Sequence, residues 1–428
     1  MIDVELLDPA DRAWNAHLDR IGALLGVPNN PTVFPYHFLQ VVLPRLGGTA
    51  VIGRCDGRVA GIGFLFPRRS PSLAEGIRPY AEPAGGGRAF TVRYHVLDPG
   101  HDHNAVLRHV QERLGSVHLT LHDPQGPQRY EPTHRPVNGV DIGRPAAGEA
   151  ADIRDLHQRI WGSPPEFLYP TDVHSIGFQA GTSLVARLVG LDGTRQLAGF
   201  LLGFYKLNGP ELPAGWGRQC GGLRLESQIM GVLPAYRGLR IANLLKRVQA
   251  EEAEQAGIGL VTWTADPLQY PNAALNFGLL RAVAFDFYPD LYPFRNNLNR
   301  VMASRFGITW LVRSERVRAV PLVGSQAMVL DLRRHPNVAL VNRGWKDIDY
   351  SVRSALIAIE IPANWTELQE QDMDVAIAWR EASDRIFSRY VGREAGQYVI
   401  TGVATRGEKR YLIGERVDDG LWERLGRQ

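Results

Sequence analysis

An internal repeat is the feature that most constrains how this chain folds. Three segments of its first third recur in the same order about 137 residues later, which predicts a duplicated folding unit. The matched pairs are residues 56–64 with 192–200, residues 96–111 with 231–249, and residues 117–124 with 260–267. One such match could arise by chance, but three in order at a nearly constant offset indicate duplication.

Each copy predicts the same order of secondary-structure elements. The first segment places an Asp-Gly pair between apolar runs, which is typical of a hairpin. The second segment predicts a strand, a loop and an amphipathic helix, because apolar residues recur at spacings of three and four. The third predicts a strand that ends at Asp-Pro. With opening helices at residues 10–25 and 148–161, both copies read as mixed α/β units.

The length of 428 residues accommodates about three domains. We predict a first copy at residues 1–140, a second at residues 141–318 and a C-terminal α+β lobe at residues 319–428. The second copy continues through an apolar helix at residues 272–283 and a strand at residues 308–312. The lobe is predicted to contain strands at residues 327–332 and 355–361, a helix reaching about residue 390, and a closing hairpin over residues 397–415.

The loop at residues 234–243 is the strongest candidate for chemistry. It joins a predicted strand to a helix, and small residues there leave the first N–H groups of the helix open to an anion such as a pyrophosphate. Arg237 and Arg240 add positive charge. An ordinary strand-to-helix turn with two solvated arginines is the alternative. The loop has neither the Gly-Lys-Ser/Thr ending of a Walker loop nor the glycine spacing of a dinucleotide fingerprint.

This loop, with the strand before it, resembles the GNAT superfamily of N-acetyltransferases. The family signature, Gln/Arg-x-x-Gly-x-Gly/Ala, is matched by Arg237 in its first position and Ala242 in its last, while Arg240 stands where the family usually has Gly. The resemblance is good over residues 145–315 and weak over residues 1–140. The stretch from 258 to 292 is similar to a little-characterised bacterial branch of the superfamily.

The resemblance implies two tandem GNAT-like folds, the first degenerate, and transfer of an acyl group from acyl-coenzyme A to an amine, without a metal. Backbone groups of the strand would pair with the pantetheine arm, and N–H groups of the loop would hold the pyrophosphate. The residues implied to bind acetyl-CoA or another acyl-CoA are Gly231, Val232, Leu233, Arg237, Gly238, Leu239, Arg240, Ile241, Ala242, Asn272 and Asn276.

The first copy has lost the phosphate loop. Its matching residues 99–104 contain no Arg-Gly pair and place Asp102 where a phosphate would lie, so we expect the carboxylate to repel a pyrophosphate. The first copy is then expected to keep the fold without binding coenzyme A, and to support the second copy or shape its acceptor pocket. Two working sites are the alternative.

Acylation of an amine needs a group that removes a proton. The resemblance implies that the strand before the loop supplies it, and Glu226 is the candidate. By alternation Glu226 lies on one face with Arg224, and Ile229 on the other. A plain ion pair with Arg224 or an exposed edge position is the alternative role for Glu226.

The sequence identifies the proton donor to the leaving thiolate less clearly than the proton acceptor. The helix tyrosine of the family falls at Phe277, which cannot donate a proton. Tyr288 or Tyr292 could replace it, or either could be a packed aromatic side chain with solvent as the donor.

Composition limits the partners. The 48 basic and 45 acidic residues nearly balance, which gives no indication of nucleic-acid binding. No apolar stretch is long enough to span a membrane, and two cysteines, Cys55 and Cys220, form no disulfide framework, so we expect a cytoplasmic protein. Six of the twelve histidines lie between residues 95 and 122, but on separate elements, and we expect packed or solvated rings.

Two hypotheses follow. The first is an N-acyltransferase that moves an acetyl or succinyl group to a small-molecule amine, an amino acid being one candidate, by direct attack on the thioester. The second is a non-catalytic acyl-CoA-binding or regulatory protein. In both, the C-terminal lobe either completes the acceptor cleft or mediates formation of a homodimer.

Overall fold

A computed structural model describes most of the chain. It covers residues 2–26, 34–70, 88–115, 117–207, 209, 211–213, 216, 222–292, 300–321 and 325–428. The chain forms two compact units, one of Met1–Glu211 with Cys220–Ile258 and the other of Leu212–Gln219 with Gly259–Gln428. The three-domain boundaries at residues 140 and 318 remain a prediction. Cys55 is buried, and Cys220 lies outside the described residues.

The first unit contains elements of both sequence copies. Its strands are β1 (Ile2–Leu7), β2 (Thr49–Cys55), β3 (Arg58–Arg68), β4 (Ala89–Val96), β5 (His118–His122), β6 (Arg135–Val137), β7 (Val140–Gly143), β8 (Gly181–Val189), β9 (Arg195–Lys206) and β10 (Arg224–Val232). Its α-helices are α1 (Trp14–Leu24), α2 (Leu43–Leu46), α3 (His103–Leu114), α4 (Ala147–Trp161) and α5 (Ile241–Gln255). The described residues of the unit also form a π-helix, Phe38–Val42, and 3₁₀ turns at Pro165–Phe167, Thr171–His174 and Pro234–Tyr236.

Two sheets repeat one plan within this unit. The first has the order β1-β2-β3-β4-β5, antiparallel up to β4, with β5 parallel to β4 after the helix α3. The second runs β6-β7-β8-β9-β10, antiparallel throughout, and β10 is followed by α5. From β1 to α3 and from β7 to α5 the chain therefore passes through a strand, one or more helices, a hairpin, a strand and a helix. The predicted mixed α/β architecture is confirmed.

The repeated hairpins close with different turns. Cys55 pairs with Arg58, so only Asp56 and Gly57 form the first turn, and both have positive φ, 48° and 78°. Two left-handed residues are the requirement of the tight turn that matches strand twist, and Asp-Gly is a preferred pair for it. The second hairpin is longer, because Val189 pairs with Arg195 across five residues.

One aromatic core joins the two sheets of the first unit. Phe38 and Phe66 from the first copy stack with centroids 4.9 Å apart. Phe38 also lies 5.3 Å from Tyr169 and 5.2 Å from Phe204, both in the second copy. Such aromatic contacts bury large areas and hold ring pairs in defined orientations. The copies therefore share this aromatic core, in addition to clusters whose buried residues come from one copy alone.

A buried ion cluster also ties the copies together. Arg93 on β4 donates to both carboxylate oxygens of Asp172, at 2.9 and 3.2 Å, and His122 Nε2 lies 3.1 Å from the same carboxylate. Burial opposes the charge of Asp172, but Arg93 and His122 outweigh it and hold the pKa of this carboxyl at about 2. Two of the six clustered histidines, His95 and His122, are thus packed, as expected.

The second unit contains the remaining elements. Its strands are β11 (Leu260–Ala265), β12 (Val283–Tyr292), β13 (Ala303–Leu311), β14 (Val329–Asp331), β15 (Ala339–Leu340), β16 (Asn342–Arg343), β17 (Asp347–Ile348), β18 (Leu356–Ile361), β19 (Tyr398–Arg406) and β20 (Lys409–Arg416). Its helices are α6 (Tyr270–Ala273), the π-helix Ala274–Leu279, α7 (Glu315–Arg318), α8 (Trp365–Gln371), α9 (Met373–Tyr390) and α10 (Leu421–Gly426). The main sheet has the order β15-β18-β20-β19-β12-β13-β11, and β14 runs parallel to β19.

Two helix predictions in this unit were wrong in extent. The apolar helix expected at residues 272–283 ends at Leu279, because Arg281 adopts a left-handed conformation with φ 59° and Val283 begins β12. The helix expected to run to about residue 390 is divided at Asp372. The Asp372 side chain accepts a hydrogen bond from the N–H of Val375, so it caps a new helix. The closing hairpin, β19 with β20, is confirmed.

Candidate acyl-CoA site

The loop between β10 and α5 has the shape of an anion site. After the turn at Pro234–Tyr236 the chain passes through Gly238, whose φ of +92° favours glycine, and no atom lies within 4 Å of a Cβ built there. Arg237 and Arg240 are exposed. The start of α5 therefore has exposed backbone, two positively charged side chains and open space beside Gly238.

The N-terminus of α5 lacks a side-chain cap. Arg240 is the N-cap residue, with φ 60° and ψ 18°, and its side chain makes no capping hydrogen bond. The first helical bond joins the N–H of Leu244 to the carbonyl of Arg240, at 3.1 Å. The N–H groups of Ile241, Ala242 and Asn243 therefore have no partner within the helix, and they carry the positive end of its dipole. The left-handed conformation also explains why a family with this loop would favour Gly at the position of Arg240.

The equivalent helix of the first copy is capped by its own carboxylate. Asp102 accepts hydrogen bonds from the N–H groups of Asn104, at 3.0 Å, and Ala105, at 3.1 Å. The bond from Ala105 lowers the pKa of Asp102, so the group is ionised at neutral pH. Asp102 thus occupies N–H groups that an incoming phosphate would need.

Strand β10 leads into the loop, and some backbone groups at its end already have hydrogen-bond partners within the protein. The N–H of Leu233 donates to the carbonyl of Ala198, at 2.9 Å, and the carbonyl of Leu233 accepts from Tyr236, at 2.9 Å. A Cβ at Gly231 would lie 2.6 Å from the ring of Trp161, so this position requires glycine. Val232 pairs with Gly199 and is half-buried. Leu233 could contact a pantetheine arm only through the remaining lone pair of its carbonyl.

Glu226 lies before a β-bulge in β10. Its pairing is with Phe204, and the next paired residue, Ile229, lies opposite Leu202, so two residues of β10 face one of β9. The prediction that Ile229 lies on the opposite face from Glu226 was wrong, because the extra residue returns Ile229 to the same side. Glu226 accepts a hydrogen bond from Lys206 Nζ at 3.1 Å, and both side chains are about 15% exposed (14% and 15%).

Lys246, which the sequence reasoning missed, lies on α5 beside the bulge. It is 2% exposed and donates to Ser227 Oγ at 2.8 Å. Burial lowers its pKa well below the usual range, although nearby Glu226 acts in the opposite direction. It stands between Leu245 and Arg247, and a lysine in such a sequence gives no signal that it faces a sheet.

Replacing Lys246 with Met is expected to raise stability at pH 7 by about 1–4 kcal/mol, as for other buried charges replaced by apolar groups. Because folding lowers the pKa of Lys246, this lysine carries a proton in the unfolded chain at pH values below about 10.4 where the folded chain has begun to lose it. The free energy of unfolding of the wild type therefore rises as the pH rises toward 10.4. The gain in melting temperature should therefore shrink at pH 10. The exposed Lys346→Met variant is the control and should melt within about 1–2 °C of wild type. A Lys246→Met variant that melts at the wild-type temperature at pH 7 would contradict the expectation.

The other predicted site residues belong to the second unit. Asn272 is exposed on α6, and Asn276 is 4% exposed on the following π-helix, where its carbonyl accepts from the N–H of Ala282 at 2.9 Å. Phe277 is buried in the core, as a packed aromatic. Tyr288 and Tyr292 both lie on β12, opposite Arg305 and Ala303 of β13.

The second unit also contains a carboxyl group that sequence reasoning did not select. Asp384 on α9 accepts a hydrogen bond from Ser304 Oγ at 2.8 Å, and burial raises its pKa to about 6. Nearby, Asp266 binds Arg380 at 2.8 Å and Arg305 at 3.3 Å. A carboxyl that titrates near neutral pH is suited to proton transfer.

Among the residues described, no group of three or more His, Cys, Asp or Glu side chains is placed to hold a metal ion. In the same part of the chain, no helix combines the length and apolarity needed to cross a membrane.

Comparison with known proteins finds similarity only among solved structures, since no family model and no curated protein matches the chain. Nourseothricin acetyltransferase is 22% identical, with 30% of this chain and 63% of that chain covered and a TM-score of 0.22. A putative acetyltransferase from Salmonella typhimurium, solved with acetyl-CoA, is 14% identical, with 41% and 95% covered and a TM-score of 0.30. The ribosomal-protein-S18-alanine N-acetyltransferase of Escherichia coli is 10% identical, with 40% and 94% covered and a TM-score of 0.29.

These structures are acetyltransferases, the class that the sequence resemblance names. This chain spans less than two thirds of the nourseothricin acetyltransferase chain. The TM-scores all lie below 0.5, so the function proposed below rests on the residues of this chain.

Proposed function

We propose that the chain is an acyl-CoA-dependent N-acyltransferase made of two GNAT-like copies, of which only the second binds coenzyme A. The observation that supports this most directly is the contrast between two equivalent helix N-termini. In the first copy, Asp102 caps α3 with its carboxylate. In the second, α5 has no side-chain cap and is preceded by exposed Arg237 and Arg240. A pyrophosphate would supply to α5 the negative charge that Asp102 supplies to α3.

The chemical step follows from the proposed substrates. The thioester of acyl-CoA supplies the acyl group; the amine nitrogen attacks its carbonyl carbon, the C–S bond breaks, and the thiolate leaves. The amine loses one proton in the process, and Glu226 is the proposed acceptor of that proton, directly or through water. Tyr288 and Tyr292 stay the proposed donors to the thiolate. The acyl group proposed is acetyl or succinyl, and the acceptor a small-molecule amine.

A non-catalytic acyl-CoA-binding role is the second candidate. The observation that favours it is the ion pair between Glu226 and Lys206, at 3.1 Å, which engages the proposed base. Turnover with any amine would exclude this role, whereas binding of acyl-CoA without turnover would support it.

Reversing the charge at the N-terminus of α5 tests the proposed phosphate loop. Arg240→Asp is expected to weaken binding of acetyl-CoA by about 10- to 100-fold, because it places a carboxylate where the pyrophosphate would bind. Asp tolerates the left-handed conformation of this position better than most residues, so the fold should persist. Isothermal titration calorimetry of both proteins measures the change.

Arg58→Asp is the matched control, because it makes the same charge change at an exposed site in the first copy. It should bind acetyl-CoA like wild type. Unchanged affinity in Arg240→Asp would exclude the loop as the pyrophosphate site, and no binding by the wild type would exclude both candidate functions.

A further inference from the structure

A cavity of about 380 Å³ lies in the first unit and is separate from the phosphate loop. Its walls come from both copies: Arg68 from β3, the segment around His174, and the adjoining ends of β8 and β9. Glu252, near the C-terminus of α5, also lines it. Ile241 starts the same helix, so the loop lies roughly 16 Å away along the helix axis. The cavity is therefore separate from the phosphate loop, although Phe204 in its wall pairs with Glu226 of β10.

Hydrogen-bond donors in the cavity wall are left without partners. Arg68 donates from Nη2 to Gln179 Oε1 at 2.8 Å, but its Nε and Nη1 are buried and have no partner among the residues that the structure describes. A guanidinium has five N–H donors, and buried donors without partners are costly. A ligand that accepts hydrogen bonds would satisfy them.

His174 adds a second unsatisfied atom to the same wall. The residue is 6% exposed, its Nδ1 lies 2.8 Å from Ser183 Oγ, and its Nε2 is buried without a partner in the described part of the chain. Burial lowers the pKa of His174 to about 4, so the ring is neutral at pH 7 and one nitrogen carries the proton. When the Ser183 hydroxyl donates to Nδ1, Nε2 becomes a further donor in the cavity wall.

The charge of the cavity favours an anion. Arg68, Arg69 and Arg144 line it, against one carboxylate, Glu252. Arg144 Nε lies 3.4 Å from Glu252, so this carboxylate pairs with one of the three arginines, and burial raises its pKa. Paired arginines bind carboxylate and phosphate groups through parallel hydrogen bonds. Water in such a space could accept hydrogen bonds, but it would supply no negative charge to the arginine-rich wall.

We propose that this cavity binds a small organic anion carrying a carboxylate or phosphate group, held by Arg68, Arg144 and His174. The volume suits a metabolite rather than a macromolecule. The proposal does not depend on acyl transfer. It also gives the first copy a function that needs no coenzyme A, since Arg68 belongs to that copy.

Calorimetry in a low-chloride buffer tests the proposal, with succinate, inorganic phosphate and glycerol phosphate as probes and uncharged succinamide as the negative control. We expect at least one anion to bind with a Kd below about 1 mM. Arg68→Met should weaken that binding about 10-fold or more, because it removes charge-assisted hydrogen bonds. Arg58→Met, at the exposed start of the same strand, should leave the affinity unchanged. Comparing the Kd of succinate with the Kd values of the two phosphates shows whether the cavity prefers a carboxylate or a phosphate group.

Arg144→Met provides a second variant in case Arg68→Met fails to fold, because its side chain is half-exposed (50%). Arg240→Asp should bind the anion normally, and Arg68→Met should bind acetyl-CoA normally, which separates this site from the phosphate loop. Absence of saturable binding by every anion would overturn the proposal. So would binding that both cavity variants leave unchanged.

Discussion

Replacing Asp172 with Asn is expected to destabilise the first unit by about 3–5 kcal/mol, the usual cost of removing one partner from a buried ion pair. Arg93 is 0% exposed and would keep its charge without the carboxylate that now accepts two of its N–H groups. For a unit of this size the loss corresponds to a drop of roughly 6–20 °C in melting temperature. Thermal unfolding followed by circular dichroism measures it.

The same ion pair predicts how stability depends on pH. Because the pKa of Asp172 falls from about 3.9 in the unfolded chain to about 2 in the folded one, its contribution is present above pH 4 and is lost as the pH falls toward 2. Arg93, His95, His122 and His174 all lie near this carboxyl, and burial lowers the pKa of His95 and of His174 to about 4. The difference between wild type and Asp172→Asn should therefore narrow in strong acid.

Glu131→Gln is the control for Asp172→Asn, since its ion pair with Arg129 is exposed on both sides and exposed pairs contribute little. Its melting temperature should lie within about 1–2 °C of wild type. If Asp172→Asn melts like this control, the buried cluster does not stabilise the first unit. The double variant Arg93→Met with Asp172→Leu should recover part of the loss, because no charge is left buried.

Local sequence patterns predicted the features that depend on neighbouring residues. The hairpin at Asp56 and Gly57, the helix α5 and the closing hairpin each follow from residues a few positions apart. The sequence also placed Asp102 where a phosphate would lie, but the capping of α3 by this side chain emerged only from the structure.

Features that join distant segments could not be predicted in this way. Arg93 and Asp172 are 79 residues apart, and neither lies in a pattern that indicates the other. The bulge beside Glu226 exists only in the pairing of β10 with β9, so alternation along one strand gave the wrong face for Ile229. Likewise Arg68 and His174 meet in one cavity because both copies contribute to it.

Glu226→Gln is expected to lower kcat by about 10²- to 10⁴-fold, the usual contribution of a positioned proton acceptor, while the Kd for acetyl-CoA stays within about twofold. The amide keeps the size of the side chain but cannot accept the proton lost by the amine. Thiol release measures turnover. The acceptor panel should contain amino acids, polyamines and short peptides with free N-termini, and acetyl- and succinyl-CoA should both be supplied.

Two variants separate loss of the base from loss of an ion pair. Lys206→Met removes the partner of Glu226 but leaves the carboxylate, so it should retain far more activity than Glu226→Gln. Glu251→Gln breaks the ion pair with Arg135 on the same unit and should be as active as wild type. Wild-type turnover in Glu226→Gln would exclude Glu226 as the base.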